Sequence, residues 1–505
     1  MNSFFKKYFS LISSTTVLVV SFLFLNKKIN LYTADIGRHI KNGEFVFKDT
    51  SVLFTNFYSY TQPNFTVLNH HWFYGVYNYF LYFLGGFTLV SIFNGLTYAF
   101  AILFLFKTLK LKFNTFSSAL AVFLLFPFFV TRTEVRPETT SFLFFSISLY
   151  LINKYLLNQI NIKTLYSVFI PLQIVWINTH IFFIFNLLLL GVLFLHLLVN
   201  KSYKTAKSIF FLGVLTLAVS FINPFTYKAV LEPLNIFKQY GYMLVENQSL
   251  LFMQKRFWSF IYFYFEAFLF LFFVTFLILL KSKKIKENTF YILTLLAFAI
   301  LSIKFNRASP LFAFTFAPLL TFIISKFVLK AFKGAIVVLC CFIFILPTNF
   351  SPLYKGGFGV GLMPKTFNSK NFFDSNKIAG PIFNNYDIGG YLIFTQFDKE
   401  KVFVDNRPEA YPVAFFKDTY IPMQLDPKKF KKVDGEYNFN VIYFYRYDLT
   451  PWGQEFLVGL INNTDWVPVY VDNYCIIFVK DVLDNKYIID KYKLDKSIFS
   501  VKKNN

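Results

Sequence analysis

A carboxylate and a histidine near the start of the chain have the side-chain types and the spacing for proton transfer. Asp35 precedes His39 by four positions, so the two side chains would share one face of a short helix. A carboxylate within hydrogen-bonding reach of a hydroxyl group can take its proton as the hydroxyl oxygen attacks. Asp35 and Asp49 are the only aspartates in the first 349 residues, and the Thr and Ser that follow Asp49 favour a turn or a cap there. We therefore predict that Asp35 and His39 are catalytic.

Arginines and histidines at turns between apolar segments form a second set of candidate residues. Arginine can bind phosphate oxygens through two parallel hydrogen bonds. It therefore holds a phosphate group better than lysine does. The predicted substrate-binding residues are His70, His71, Trp72, Arg132, Glu134, Arg136, His180, Arg256 and Arg307. Each has a structural alternative, because arginines can extend to lipid headgroups, histidines can form interfacial hydrogen bonds, and Glu134 can pair with a neighbouring arginine.

No cofactor is firmly indicated by the sequence. Asp35 with the histidines at positions 39, 70 and 71 could hold a divalent metal ion, but a compact motif such as His-Glu-x-x-His is lacking. A metal ion therefore stays an open alternative. The three cysteines, Cys340, Cys341 and Cys475, exclude a disulfide scaffold and a cysteine-based zinc site.

Long apolar segments carry these residues and indicate a membrane protein. The 505 residues are 56% hydrophobic and only 15% charged, whereas a soluble domain has about 25% charged residues. A chain this apolar is not expected to be disordered either. A spanning helix needs about 20 mostly apolar residues. We predict eleven spans, at 9–26, 87–106, 115–131, 138–157, 164–178, 181–200, 206–222, 258–280, 288–303, 308–327 and 334–348.

The distribution of charge predicts the orientation of these spans. The formal net charge is +23, and residues 1–349 hold 30 Lys and Arg against nine Asp and Glu. Lysines cluster in every second short loop, which is typical of cytoplasmic loops and argues against a nucleic-acid-binding surface. We expect a multi-pass protein of the cytoplasmic membrane with a cytoplasmic N-terminus. Residues 27–71 then form the first outer loop, and the short apolar stretch 72–84 is predicted to be a separate interfacial helix.

The residues after about 350 have the pattern of a folded domain outside the membrane. An odd number of spans from a cytoplasmic start places this region outside the cytoplasm. Short apolar runs between Gly, Pro, Asn and Asp predict strands at 378–383, 391–394, 401–405 and 440–445, and a hairpin at 467–480. The predicted fold class is a polytopic α-helical membrane protein, residues 1–349, with a C-terminal extracytoplasmic α/β domain, residues 350–505.

Several polar sequence blocks occur in order along the chain. In the apolar region they are Asp35-Ile-Gly37-Arg-His39, Tyr58-Ser59-Tyr60-Thr61, Asn69-His70-His71-Trp72, Arg136-Pro137-Glu138, Trp176-Ile-Asn178-Thr-His180, Asn223-Pro224 and Asn306-Arg307. In the C-terminal region they are Asn384-Asn385-Tyr386-Asp387-Ile-Gly389-Gly390 and Val404-Asp405-Asn-Arg407-Pro-Glu409-Ala-Tyr411. Together they resemble bacterial members of the GT-C glycosyltransferase superfamily, which includes protein O-mannosyltransferases, lipid A aminoarabinose transferases and RgtA/B/C/D-like lipopolysaccharide transferases.

The resemblance implies transfer of a sugar from a polyprenyl-phosphate donor, in contact with membrane lipids, to a glycan, lipid or protein acceptor at the outer face. It also implies a catalytic acid in the first outer loop, and Asp35 matches that position as general base. The chain departs from the mannosyltransferase pattern, because Ile36 follows where an Asp-Glu pair is usual. A lipid-phosphate donor agrees with the lack of a nucleotide-binding P-loop motif.

Two other classes of function stay open. A lipid or oligosaccharide transporter, or flippase, predicts charges in the middle of the membrane, whereas the candidate residues named above fall at the outer ends of predicted spans. A non-catalytic membrane assembly protein would keep the C-terminal blocks and would not need Asp35.

Overall fold

Long apolar runs fold as helices throughout the part of the chain that the structure describes. The computed structural model describes residues 3–235, 240–242, 244, 247–327 and 358–499. The helices up to residue 327 are α1 Ser3–Leu25, α2 Ile36–Phe45, α3 Trp72–Lys110, α4 Thr115–Val130, α5 Pro137–Leu156, α6 Ile162–Thr179, α7 Ile184–Val199, α8 Tyr203–Val219, α9 Tyr227–Asn235, α10 Leu250–Arg256, α11 Phe260–Lys281, α12 Ile285–Lys304 and α13 Ser309–Phe327. Those after residue 358 are α14 Asn368–Ser375, α15 Gly389–Gln396, α16 Ile421–Leu425, α17 Pro427–Tyr437, α18 Pro451–Ile461 and α19 Lys486–Tyr492.

Ten of the eleven predicted spans coincide with a described helix, and the eleventh, at 334–348, lies outside the described residues. Within the described residues, six helical segments are long and apolar enough to cross a membrane. These are Tyr8–Leu25, Trp72–Lys110, Ile181–Val199, Phe260–Lys281, Ile285–Lys304 and Asn306–Phe327. The predicted class of polytopic helical membrane protein is thus confirmed, while the number of eleven spans stays a prediction.

The chain divides into two compact units that do not follow one another in sequence. The helical unit comprises residues 1–28, 86–233 and 243–361, and the mixed unit comprises residues 29–85, 234–242 and 362–505. Nearly all of the predicted first outer loop, from residue 29 onward, therefore belongs to the same unit as the C-terminal residues.

The core of the helical unit is made of phenylalanines on neighbouring helices. Helix α13 packs against α4 and α12, and α7 packs against α8. Phe128 on α4 contacts Phe312 on α13 with ring centroids 5.7 Å apart, and Phe129 contacts Phe314 at 5.1 Å. All four rings are fully buried. Tilted and edge-on aromatic pairs of this kind add to the apolar burial that holds helices together.

Helix α3 differs from the sequence prediction. The stretch 72–84 and the span from residue 87 belong to one continuous helix of 39 residues, Trp72–Lys110. The prediction of a separate interfacial helix is therefore wrong. Gly86 lies within this helix with a φ of +60°, a conformation that glycine adopts at little cost. The two compact units divide at this point of the chain.

The mixed unit contains a four-stranded sheet with strands β1 Ile382–Asn384, β2 Val441–Tyr445, β3 Trp466–Val471 and β4 Cys475–Lys480. Their order is β1-β2-β4-β3, with β1 parallel to β2 and the other pairs antiparallel. The predicted hairpin is β3–β4. Its turn is fixed by Asp472, whose Oδ1 accepts hydrogen bonds from the backbone amides of Tyr474 and Cys475 at 2.7 and 2.8 Å.

Two predicted strands are absent from the described part of the mixed unit. Residues 391–394 lie inside helix α15, which packs against α2. Their local strand preference is overridden by burial on one helix face. Residues 401–405 form a single bridge, in which the Val402 amide donates to the Tyr58 carbonyl at 3.1 Å and the Tyr60 amide donates to the Val402 carbonyl at 3.2 Å.

Candidate active site

Asp35 stands at the N-cap of helix α2, but its side chain does not cap the helix. The backbone carbonyl of Asp35 accepts the first helical hydrogen bond, from the His39 amide at 3.0 Å. Aspartate at this position normally accepts a hydrogen bond from a backbone amide of the first turn. No such cap bond is formed by the Asp35 carboxylate, which still benefits from the positive end of the helix dipole.

The Asp35 carboxylate instead meets two residues that share a hydrogen bond. Asn406 Nδ2 donates to Asp35 Oδ1, and Arg38 Nε donates to Asn406 Oδ1 at 3.1 Å. Arg38 Nη2 lies 3.9 Å from the same Asp35 oxygen. The Arg38 side chain is only 6% exposed and that of Asp35 is 21% exposed. The carboxylate is therefore held on its protein side and remains accessible to solvent.

Glycines bring the segment that carries Asn406 close to α2. A Cβ atom on Gly389 would lie 2.4 Å from Asp405 Cα, and one on Gly390 would lie 3.0 Å from Asn406 Nδ2. A Cβ atom on Gly37 would lie 3.0 Å from the Gly390 carbonyl oxygen. Larger residues would push these backbones apart. The Gly389-Gly390 pair therefore serves close packing, and neither residue has a positive φ.

Asp405 and Arg407 form a buried ion pair on either side of Asn406. Arg407 Nε donates to Asp405 Oδ1 at 2.8 Å and its Nη2 donates to Oδ2 at 2.7 Å. The same Nη2 donates to Asn56 Oδ1 at 2.8 Å. Burial disfavours the guanidinium charge, but Asp405 opposes this and the pKa of Arg407 is raised above its ordinary value. A buried pair with this two-pronged geometry fixes the backbone around Asn406.

Glu409 is a third carboxylate in this neighbourhood, beside Asp35 and Asp405. Burial raises the pKa of Glu409 above its ordinary value, and the positive charges of Arg38 and Arg407 oppose that rise. Tyr386 lies near the carboxylates of Glu409 and Asp35. Its pKa is raised by burial first and then by nearby groups that include Glu409 and Asp35.

The predicted catalytic residue His39 packs among aromatic rings. Its ring centroid lies 5.4 Å from that of His71 and 4.9 Å from that of Tyr74. This approach of α2 to the start of α3 depends on Gly43 and Gly75, because a Cβ atom on Gly43 would lie 2.1 Å from the Gly75 carbonyl oxygen. His39 is 1% exposed. It therefore supports the α2–α3 contact rather than lying open to a substrate.

The other predicted residues of this loop lie at the start of α3. The His70 and His71 rings lie 3.9 Å apart, and His70 Nδ1 is 3.1 Å from the Leu68 carbonyl oxygen. Trp72 is the first residue of α3 and contacts Phe73 at 5.7 Å. Among the described residues no group of three or more His, Cys, Asp or Glu side chains is placed to hold a metal ion.

The helical unit contains a separate ionic cluster around Glu138. Arg132 Nη2 lies 2.6 Å and Arg307 Nη2 lies 3.0 Å from the same Glu138 oxygen, Oε1. The Glu138 side chain is 6% exposed. Two guanidinium groups around one carboxylate leave one net positive charge. Such a cluster can attract an anion, but its members also stabilise one another.

Arg307 and His180 both pack against the ring of Phe182. The Arg307 guanidinium lies 5.3 Å from the ring centroid, and the His180 ring lies 4.3 Å from it. His180 Nδ1 is 2.7 Å from Ser141 Oγ, which also accepts a hydrogen bond from Trp176 Nε1 at 2.8 Å. The structure thus brings three predicted binding residues, Arg132, His180 and Arg307, into one region of the helical unit.

Arg136 and Glu134 form a pair of their own, joined at 2.8 Å between Arg136 Nε and Glu134 Oε2. The Glu134 side chain is 59% exposed, so this contact is a surface ion pair of small energy. Lys27 lies close by. Burial lowers its pKa, and the charge of Glu134 opposes that shift. Arg256 is exposed, and its guanidinium lies 5.3 Å from the ring of the adjacent Phe257.

Sequence reasoning singled out Asp35 but missed the residues around it. Arg38 and Asn406 were not predicted as site residues, although both lie inside blocks that the sequence presents as unusual. The available signal was the polar run Asp405-Asn-Arg407 in an otherwise apolar stretch. The side chains of that run are largely buried, with Asp405 at 0% and Arg407 at 4% exposure.

Comparisons with known proteins identify the fold. The chain matches no protein-family model and no curated protein by sequence. It is similar in structure to an archaeal oligosaccharyltransferase, AglB from Archaeoglobus fulgidus in complex with an inhibitory peptide and a dolichol-phosphate. That match has a TM-score of 0.63 and 11% identity, and covers 94% of this chain and 74% of that one. It is also similar to apo ArnT from Cupriavidus metallidurans, with a TM-score of 0.55 and 14% identity over 94% of this chain and 98% of that one.

A further structure of the Archaeoglobus fulgidus oligosaccharyltransferase, in complex with zinc and sulfate, has a TM-score of 0.57 and 12% identity. The match covers 92% of this chain and 73% of that one. At identities this low the likeness shows a shared fold. It extends over nearly the whole chain in each case, so the helical unit and the mixed unit both contribute to it.

Proposed function

Because the chain has the GT-C fold of these transferases, we propose that it is a membrane glycosyltransferase that uses a sugar linked to a polyprenyl phosphate. The observation that carries the proposal is the Asp35 carboxylate. It lies at a helix N-terminus, makes no cap hydrogen bond, is held by Asn406 and Arg38, and is accessible to solvent. An acidic group held in this way, on an acid-poor part of the chain, has the properties of a general base.

In the proposed reaction a hydroxyl oxygen of the acceptor attacks the anomeric carbon of the donor sugar. The bond from that carbon to the phosphate oxygen breaks, and its electron pair leaves with the lipid phosphate. Asp35 takes the hydroxyl proton as the new bond forms. The transition state is oxocarbenium-like, so a correctly placed carboxylate stabilises it more than it stabilises the bound substrate.

The departing phosphate is negatively charged, and we assign its binding to arginines of the helical unit. Arg136 is the first candidate, because it pairs with Glu134, whose side chain is exposed, and an exposed ion pair of this kind adds little energy and can be replaced by a contact with another anion. Arg132 and Arg307 add a net positive charge around Glu138. Guanidinium groups match phosphate oxygens in geometry as well as in charge.

No step of the proposed reaction passes through a metal ion. The structure of the Archaeoglobus enzyme with zinc leaves metal dependence open for this chain. The three histidines of the first loop pack ring against ring, and the described residues offer no cluster of three or more suitable ligands. Glycans, lipids and proteins all carry hydroxyl groups that can attack the donor sugar.

The proposal is tested by comparing cell-envelope glycans and glycolipids, by mass spectrometry, between cells that produce the protein and cells that lack it. We expect at least one species to lose a single sugar unit when the protein is absent. Restoration by the wild-type chain and not by the Asp35→Asn variant would support transferase chemistry. A flippase would change the amount of exposed lipid-linked sugar but would not depend on the Asp35 carboxylate. Identical glycan profiles with and without the protein would contradict the proposal.

A further inference from the structure

We propose that Asn406, together with Arg38, positions the Asp35 carboxylate for proton removal, so that the C-terminal region contributes directly to the catalytic centre. This inference rests on the proposed function and deepens it. It assigns a positioning role to the segment around residue 406, which belongs to the C-terminal region and was not predicted as part of the site.

The orientation of the Asn406 amide supports this role. Its nitrogen donates to Asp35 Oδ1 and its oxygen accepts from Arg38 Nε at 3.1 Å. A flipped amide would set its oxygen against the carboxylate and its NH₂ group against the guanidinium, and neither contact would be a hydrogen bond. The two partners therefore require this one orientation, and the amide in turn fixes the direction of the carboxylate.

The surroundings of Asn406 hold it in place. Asp405 and Arg407, its neighbours on both sides, are locked together by the buried two-pronged ion pair. On the other side Gly390 leaves room for the Asn406 amide, since a Cβ atom there would lie 3.0 Å from Nδ2. A side chain needed only for surface solubility would not be enclosed in this way. Precise orientation of a reacting group is worth a large factor in rate.

Several charged groups lie near the contact between Asp35 and Asn406. Arg38 lies on its own helix, and Asp405, Arg407 and Glu409 lie on the segment that carries Asn406. Tyr386, just before α15, interacts with both Asp35 and Glu409. Asn406 carries no charge and donates a hydrogen bond to the Asp35 carboxylate. Its replacement changes the direct contact while the other charges are retained.

The test measures the pH dependence of sugar transfer. Purified full-length protein is added to envelope membranes from cells that lack it. The initial rate of glycan or glycolipid formation is followed by mass spectrometry from about pH 3 to 9, a range that includes the ordinary carboxyl pKa. The variants are Asn406→Ala, Asn406→Asp and Arg38→Lys. Asn473→Asp serves as the matched control, because Asn473 is exposed in the β3–β4 turn of the same unit.

The charges around Asp35 determine the direction in which the pH profile should shift. A base must be ionised, so the rate falls as pH decreases through the pKa of Asp35. Loss of the Asn406 donor in Asn406→Ala favours protonated Asp35 and moves the acid limb of the rate profile to higher pH. The added negative charge in Asn406→Asp has a larger effect in the same direction, a shift of about one pH unit or more. Asn406→Ala and Arg38→Lys should lower the maximal rate roughly 10- to 100-fold through misorientation. Asn473→Asp should match the wild type.

The outcomes separate the two proposals. An unchanged acid limb in folded Asn406→Asp, together with an inactive Asp35→Asn variant, would overturn the positioning role and leave the proposed function intact. Full activity of Asp35→Asn would overturn Asp35 as the base, whatever the Asn406 variants do. A loss of rate with no shift of the acid limb in any folded variant would indicate a structural role only and would also overturn the inference. If Asn406→Ala does not fold, the pH profile of the isosteric Asn406→Asp variant decides whether Asn406 has the positioning role.

Discussion

Asn406 donates a hydrogen bond to the carboxylate of Asp35, a residue 371 positions earlier in the chain. This contact joins the first loop to the C-terminal region within one compact unit. It also agrees with the observation that the Asp35 side chain makes no cap hydrogen bond to its own helix. The position of the Asp35 carboxylate, the proposed base, therefore depends on tertiary structure and not on local helix geometry.

The ionic cluster of the helical unit should depend on its buried carboxylate. Glu138→Gln would leave Arg132 and Arg307 close together without their shared anion, so we expect a loss of about 3 kcal/mol in the free energy of unfolding. Glu134→Gln is the matched control, because this glutamate is 59% exposed and its removal should cost less than about 1 kcal/mol. Thermal unfolding of detergent-purified variants measures both. Equal midpoints for the two variants would mean that the Glu138 cluster is not a stabilising element.

Arg136→Ala should weaken donor binding as well as turnover. A hydrogen bond between charged groups that exists in both the bound substrate and the transition state raises KM when it is lost, here by about 10-fold or more. Lys228→Ala, which removes an exposed positive charge from the same unit, should leave KM for the lipid donor unchanged. Saturation curves of the two variants against the membrane donor distinguish them. An unchanged KM in Arg136→Ala would transfer the phosphate-binding role to Arg132 and Arg307.

The orientation in the membrane can be tested with a reporter enzyme that is active only outside the cytoplasm. A fusion after Asn505 should be active, and a fusion after Lys110, at the end of α3, should be silent. The reason is the lysine content of alternate loops, which favours the cytoplasm. Opposite results at either position would refute the predicted eleven-span topology.

The sequence predicted the helical framework well, because the length and apolarity of a segment are local properties. It also predicted strand β2 and the hairpin formed by β3 and β4. It was wrong at residues 391–394, where a run of residues with strand preference is helical because α15 packs on α2 across Gly37 and Gly390. Packing of this kind depends on residues far away in sequence and leaves little local signal.

For the candidate site, the sequence predicted a role for Asp35 and none for the residues around it. Asp35 stood out because aspartates are scarce in the first 349 residues. Asn406 did not stand out, because an asparagine between Asp405 and Arg407 is equally typical of a turn. Only the fold shows that its amide spans Asp35 and Arg38. His39, predicted from its spacing alone, instead packs against His71 and Tyr74.

The proposed reaction depends most on the carboxylate of Asp35, and replacing this residue is the most direct test of the proposal. Asp35→Asn keeps the size of the side chain and removes its ability to accept a proton, so turnover should fall about 10²- to 10⁴-fold while folding and membrane insertion are unchanged. Asp49→Asn is the matched control from the same loop, because the Asp49 carboxylate is exposed and accepts a hydrogen bond from the Ser51 amide at 2.9 Å. The measurement is the initial rate of sugar transfer by each purified variant in membranes that lack the native protein. We expect near-complete loss of sugar transfer for Asp35→Asn and wild-type rates for Asp49→Asn. Wild-type turnover in a correctly inserted Asp35→Asn protein would contradict the proposal.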